Sequence, residues 1–155
     1  MSISELIDQY LAGPDELRKA VEGLSDQQLD LAPVPGRWST RQVVCHIADF
    51  EPIYADRMKR VIAEDNPTFF GGNPDVFAAR LAYAHRTISQ EIHLIEAVRQ
   101  HVATILRTLA DDDFQRQGTH FEDGPLTLET MLRNITIHIP HHTQFIKEKR
   151  QAMEN

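Results

Sequence analysis

The feature that most constrains the fold is an apolar spacing of three and four residues, which recurs in four long stretches of the chain. This spacing is typical of helices that bury one face. No segment shows a convincing polar and apolar alternation bounded by hairpin turns. The sequence therefore predicts an all-α four-helix bundle. The expected long helices run from about Ile3 to Leu24, from Ser39 to about Glu64, from Ile88 to Leu109, and from Thr127 to about Ala152.

Helix starts are marked by a Ser or Thr followed three residues later by Glu or Gln, which is the capping-box pattern. Four boxes are predicted: Ser2 with Glu5, Ser25 with Gln28, Ser39 with Gln42, and Thr87 with Gln90. Gly13 and Pro14 should bend or split the first helix. Short accessory helices are expected near residues 25–31 and 75–83, and a polar excursion with a short extended piece at 111–126.

Length and charge limit the class of protein. The chain has 155 residues, which fits a single bundle domain spanning 1–155. The formal charge of -7 disfavours nucleic acid as a partner, because the surface field would repel phosphate. The N-terminus has no signal-peptide pattern and no stretch is apolar enough for a membrane span. The lone Cys45 fits a reducing compartment, so we expect a cytoplasmic protein that does not bind membranes.

Three histidines lie on predicted inward faces. On the last helix, His138 and His142 continue a stripe that also contains Ile135 and Phe145. On the second helix, His46 lies on the stripe that contains Val43 and Phe50. The remaining histidines are expected elsewhere. His85, His93, His101 and His120 should be at the surface, and His141 is rotated by about 100° from His142 around the helix.

Two histidines spaced i and i+4 on one helical face can chelate a single ion, and a third from a facing helix completes a tripod. His46, His138 and His142 are therefore candidate ligands of a divalent metal. Three protein ligands leave a position for water or substrate, as in catalytic sites. Two alternatives stay open. The histidines can be core residues that hydrogen-bond to neighbours, or a metal can staple the helices without any turnover.

Three stretches resemble the DinB-like superfamily, including its YfiT-type members and thiol S-transferases. They are LIDQYLAGPDELRKAVEGLSDQQL near the N-terminus, PGRWSTRQVVCHIADFE at 35–51, and EDGPLTLETMLRNITIHIPHHTQFIKE at 122–148. The resemblance implies a four-helix bundle in which His46, His138 and His142 bind zinc, nickel, iron or another divalent ion. It also implies a homodimer. It supplies no single reaction, since members resemble bacillithiol- or mycothiol-dependent transferases, isomerases or metal-dependent hydrolases.

Residues near the tripod suggest supporting roles. Asp49 and Glu51 could orient an imidazole or accept a proton, or they could lie on a solvated helix face or pair with Arg57. His141 is a further candidate general base. Trp38 is expected to fix the start of the second helix, with a pocket wall as the alternative.

The leading hypothesis is a metal-dependent enzyme that transfers a low-molecular-weight thiol to a small electrophilic substrate. A metal-dependent hydrolase is the second hypothesis, and a non-catalytic metal-binding bundle protein is the third.

Overall fold

The computed structural model describes residues 1–154, and the chain folds into a helical bundle. The all-α prediction is confirmed. Four long helices carry the fold: α1 (Ile3–Val21), α3 (Thr40–Ala63), α5 (Ile88–Leu106) and α6 (Leu128–Glu154). The accessory helices α2 (Asp26–Asp30) and α4 (Pro74–Arg80) are also present, and the second is followed by a 3-10 turn at Tyr83–His85. Within residues 1–154, every helix lacks the long apolar run that a membrane crossing requires.

The four long helices pack in an order that differs from their order in the chain. Both α1 and α3 pack against α5 and α6, which puts α1 and α3 at opposite corners of the bundle. Side-chain bonds give the directions. Arg18 meets Glu96 while Asp8 meets Arg107, so α1 and α5 run antiparallel. In contrast, α1 and α6 run parallel, because hydrogen bonds join Glu16 to Thr143 and Ala20 to Arg150.

The bundle interior consists of two apolar clusters. The lower cluster includes Tyr10, Met58 and Leu132, and the upper one includes Ile47 and Ile139. A buried ion pair lies between the two clusters. Its members are Glu51 on α3 and Arg99 on α5, and on each helix the residues before them belong to the upper cluster and those after them to the lower one. Helix α1 is continuous through Pro14, and Gly13 lies directly against the Arg99 guanidinium. A side chain at Gly13 would collide with that group.

Three of the four predicted capping boxes are confirmed, at Ser2, Ser25 and Ser39. The fourth was wrong. Helix α5 does begin after Thr87, but the Thr87 side chain makes no capping bond. The neighbouring Arg86 instead binds Glu91 in the first turn of α5. The first and third long helices also end three residues before the expected Leu24 and Leu109.

The excursion between α5 and α6 contains more regular structure than expected. A 3-10 helix at Asp111–Gln115 precedes strands β2 (Gln117–His120) and β3 (Gly124–Thr127), which form an antiparallel hairpin. The short strand β1 (Thr68–Phe69) pairs parallel to β2 and completes a three-stranded sheet. Gly124 closes the hairpin with a φ of 77°, a backbone conformation that suits glycine.

Candidate metal centre

Helices α3 and α6 bring three histidines together inside the upper part of the bundle. Ser39 starts α3 with a confirmed capping box, which sets His46 two turns into the helix on its buried face. Thr127 accepts a hydrogen bond from the Thr130 amide at the start of α6. His138 and His142 then fall on one face of α6, one turn apart. The structure thus brings all three predicted ligands to one place.

The imidazoles of the cluster are in close contact. The Nε2 atoms of His46 and His138 are 3.0 Å apart. The ring of His142 lies with its centroid 4.7 Å from that of His46 and 4.6 Å from that of His138. One nitrogen from each of the three rings lies within 4.8 Å of the others. Within residues 1–154, no fourth His, Cys, Asp or Glu joins this group.

Burial keeps the cluster uncharged. It lowers the pKa of His46 to about 4, although Asp49 acts in the opposite direction. Burial and, to a smaller extent, the neighbouring imidazoles lower the pKa of His138 to about 2 and that of His142 to about 3. All three rings are therefore neutral at pH 7. A neutral imidazole has a free lone pair, which is the form that binds metals.

The spacing of the cluster nitrogens also fits a cation. The Nε2 atoms of His46 and His138 face each other, so these are the atoms of the two rings that a shared ion would bind. Among the described residues, the buried Nδ1 atoms of His46, His138 and His142 have no hydrogen-bond partner. Imidazole nitrogens bind zinc at about 2.0–2.1 Å, so two ligands of one ion lie about 3 Å apart or slightly more. The spacing of His46 and His138 agrees with that geometry.

An aromatic wall and a small cavity border the cluster. The Trp38 and Phe50 rings lie 5.2 Å and 4.8 Å from the His46 ring, centroid to centroid. His142 forms part of a cavity of about 250 Å³ whose other walls include Trp38, Phe145 and Lys149. Trp38 packs against the upper apolar cluster and also lines the cavity, which is the alternative that the sequence left open.

The two predicted acidic residues have other partners. Asp49 accepts a hydrogen bond from the Tyr83 hydroxyl at 2.8 Å and forms an ion pair with Arg86 at 2.8 Å. Glu51 is fully buried and pairs with Arg99, which corrects the expectation of a solvated face or a pair with Arg57. Neither carboxylate hydrogen-bonds to a cluster histidine in residues 1–154, since the Nδ1 atoms are unpartnered.

The other five histidines lie outside the three-histidine cluster. His141 is exposed, and its ring centroid is 5.1 Å from that of His142. His85, His93 and His101 are exposed, as predicted. His120 was wrongly expected at the surface. It is 6% exposed, because strand β2 turns it inward and its Nδ1 accepts hydrogen bonds from the Glu122 and Asp123 amides.

The Cys45 thiol is buried, and burial raises its pKa to about 11. Two charged residues at the interior were missed by the sequence reasoning. Arg99 and Lys149 lie on the apolar faces of α5 and α6, at i+4 from Ile95 and Phe145. A charged residue on an apolar stripe was the signal that could have identified them.

The fold and the three-histidine cluster define a helical-bundle protein with a candidate metal site. The model of the DinB superfamily matches residues 9–146, and the chain belongs to that superfamily. A relative from Oceanobacillus iheyensis, named "Putative metal-dependent hydrolase", is 30% identical over 144 residues, which cover 93% of this chain and 83% of the relative. A relative from Bacillus cereus strain 03BB102 has the same name and is 28% identical over 153 residues, which cover 96% and 88% of the two chains.

A solved structure is also similar over nearly the whole chain. YfiT from Bacillus subtilis, described as "a probable metal-dependent hydrolase with an unusual four-helix bundle topology", matches with a TM-score of 0.92 and 28% identity. The match covers 99% of this chain and 90% of that one. The helix order around the bundle found above, with α1 and α3 at opposite corners, is consistent with the unusual topology in that description.

Proposed function

We propose that this protein is a divalent-metal-dependent enzyme and that His46, His138 and His142 hold the ion. The observation that carries the proposal is a set of three neutral imidazoles beside a cavity, with no fourth protein ligand in residues 1–154. Structural metal sites are usually closed by four protein ligands, whereas catalytic sites use three and leave room for substrate. Three imidazoles suit zinc, nickel or iron.

We further propose that the reaction is the transfer of a small thiol to an electrophilic substrate. A divalent cation bound by the three histidines would supply Lewis acidity, which lowers the pKa of a thiol or a water molecule that occupies its open position. A thiol has an ordinary pKa of about 8.5, whereas that of water is about 15.7. A thiol therefore needs a smaller decrease in pKa than water does to ionise at neutral pH.

The positions of the candidate bases support this choice. Asp49 is held by Tyr83 and Arg86, and Glu51 is held by Arg99. Neither carboxylate touches the cluster in the described chain. Efficient hydrolysis gains from a general base within hydrogen-bond reach of the attacking water. A thiol that ionises near neutral pH has less need of such a base.

The protein's own groups then have defined tasks. Trp38 and Phe50 cover His46 and exclude water from that side of the cluster. The bonds from Asp49 to Tyr83 and Arg86 fix α3 to the segment before α5, so Asp49 is a positioning residue. His141 is exposed next to His142 and can carry a proton between the cavity and solvent.

Hydrolysis is the second candidate, and the specific observation that favours it is the name given to both relatives and the description of YfiT. In this case His141 is the base nearest to the cluster by ring contact. The same site would then act on water in place of a thiol.

A direct comparison of the two reactions tests the proposal. Zinc-, nickel- and iron-loaded protein is incubated with 1-chloro-2,4-dinitrobenzene and bacillithiol, mycothiol or cysteine, and in parallel with p-nitrophenyl acetate alone. We expect thioether formation with at least one thiol, abolished in His142→Gln and retained in the control His93→Gln, whose histidine is exposed outside the cluster. Ester hydrolysis without thioether formation would favour the hydrolase, and neither activity with any metal would contradict catalysis.

A further inference from the structure

The cavity beside His142 contains two cationic side chains that form no ion pair within residues 1–154. Lys149 is only 3% exposed, and its Nζ donates a hydrogen bond of 3.3 Å to the Phe145 carbonyl on its own helix. Arg37, in the loop before α3, stacks its guanidinium over the Phe145 ring at 5.4 Å. Neither forms an ion pair with any side chain in residues 1–154.

Several buried or half-buried arginines of the chain, in contrast, are paired with acidic side chains. Arg18, Arg41, Arg86 and Arg99 all bind at least one carboxylate. Lysine is seldom fully buried unless it is paired. Burial lowers the pKa of Lys149, the neighbouring Glu148 acts in the opposite direction, and the nearby Arg37 lowers it. A buried ammonium that lines an open space is therefore a place where an anion would be bound favourably.

The two cations are joined to the histidine cluster through one side chain. The Phe145 ring contacts both of them, with Lys149 Nζ at 5.9 Å from its centroid and Arg37 at 5.4 Å. The same ring lies 5.8 Å from His142, centroid to centroid. All four residues line one cavity of about 250 Å³. A small molecule in this cavity can thus reach the cations and the cluster at once.

One acidic residue shares the cavity wall. Asp75 at the start of α4 is exposed to solvent, in contrast to the buried Lys149. Two positive groups and one solvated carboxylate leave the cavity with a net positive charge, although the chain as a whole carries -7. Charge-assisted hydrogen bonds from Arg and Lys are the strong contacts by which proteins recognise carboxylates and phosphates.

We propose that the substrate or thiol cosubstrate is a small organic anion, whose carboxylate or phosphate group is bound by Arg37 and Lys149 while its reactive end reaches the three-histidine cluster. This inference rests on the proposed function for the identity of the reactive end. The binding of the acid group needs only the cavity. It can therefore be measured whether or not a metal is bound.

Trp38 provides the measurement, because it is the only tryptophan in the chain and it lines the same cavity. Fluorescence is recorded while succinate, inorganic phosphate or the neutral analogue succinamide is added to the protein as purified. The titrations are repeated after metal removal by a chelator, and metal content is determined in the same samples. The variants are Lys149→Gln and Arg37→Gln, with Lys147→Gln as the matched control on the exposed face of α6.

We expect saturable binding of succinate or phosphate, at least tenfold weaker in Lys149→Gln and in Arg37→Gln and unchanged in Lys147→Gln, with no saturable response to succinamide. Tighter binding of succinate would indicate that the site prefers a carboxylate, and tighter binding of inorganic phosphate would indicate that it prefers a phosphate. Arg37 is exposed, so its variant carries the test even if Lys149→Gln fails to fold. Equal responses to succinate and succinamide, or full binding in both cation variants, would overturn the proposal. Cation-dependent binding in samples that never bind metal would support the anion site and contradict the proposed metal enzyme.

Discussion

Two groups of polar side chains are buried in the bundle, and they differ in how fully their hydrogen-bonding atoms are used. Arg99 donates to Glu51, to the Tyr10 carbonyl at 2.7 Å and to the Ile135 carbonyl at 2.9 Å, so it ties three other long helices together. Oε2 of Glu51 and the hydroxyl of Tyr10 lack a partner there among the described residues, but every cationic nitrogen of Arg99 donates. The three-histidine cluster leaves one nitrogen of every ring without a partner.

The contrast separates a polar group that protein atoms satisfy from a cluster whose rings contact mainly each other. A buried charge whose donors are satisfied by protein atoms holds helices in place. A buried group whose atoms are unsatisfied costs free energy, and it persists when that cost is offset by function or by a bound ligand. The ion pair should therefore matter most for stability, and the cluster should matter most for metal binding.

The largest effect is expected at the ion pair. Arg99→Met leaves Glu51 buried without its partner, and such a change costs about 3–5 kcal/mol of unfolding free energy. Urea denaturation measures it. The control is Arg18→Met, which removes an ion pair between α1 and α5 at the surface and should cost no more than about 1 kcal/mol. Equal losses in the two variants would show that the buried pair does not hold the bundle.

An effect that is smaller for each residue is expected from acid in the metal-free protein. Folding lowers the pKa of each cluster histidine from the ordinary 6.5 to about 4 or below. The unfolded chain therefore binds more protons between pH 6.5 and 4, and stability is lost as the pH falls through this range. At pH 5 the loss is about 2 kcal/mol for each histidine.

Urea denaturation with chelator present, at about pH 7.5 and about pH 5, measures this loss. The triple variant His46→Gln, His138→Gln, His142→Gln should have a much flatter pH dependence, because the groups that take up the protons are gone. If the triple variant lost stability just as steeply, the pH dependence would come from other residues.

The smallest effect is expected when a cluster residue is made apolar in the absence of metal. His138→Leu removes a buried imidazole whose Nδ1 has no partner, but it also removes the contact to His46 Nε2, so the stability of the metal-free protein should change by no more than about 1 kcal/mol. Added zinc should no longer raise its melting temperature. Zinc should raise the melting temperatures of the wild type and of the control His93→Leu by similar amounts. A loss of more than about 2 kcal/mol without metal would show that the histidines are structural.

Periodicity was enough to predict which faces of the helices are buried. It identified His46, His138 and His142, because a polar residue on an apolar stripe shows in the sequence. It did not give the partners across helices. Glu51 and Arg99 meet because α3 and α5 pack against each other. The residue pattern of one helix does not show which other helix packs against it.

The small sheet shows a second limit of the sequence. Strand β1 has only two residues, which is too short for an alternating pattern to be recognised. The burial of His120 follows from that sheet and was missed for this reason. Thr87 was a misleading cap signal. Its side chain makes no capping bond, and the side-chain contact at the start of α5 is the ion pair of Arg86 with Glu91.

The central claim is that the cluster binds one metal ion. It is tested most directly by the metal content of protein purified without chelator or nickel resin, measured by plasma mass spectrometry beside His138→Ala, His142→Ala and the exposed-histidine control His93→Ala. We predict about one ion per chain in the wild type and in the control, and none in the two cluster variants. A wild type that contains no metal and takes up none on reconstitution would contradict the account and leave three neutral histidines in the core.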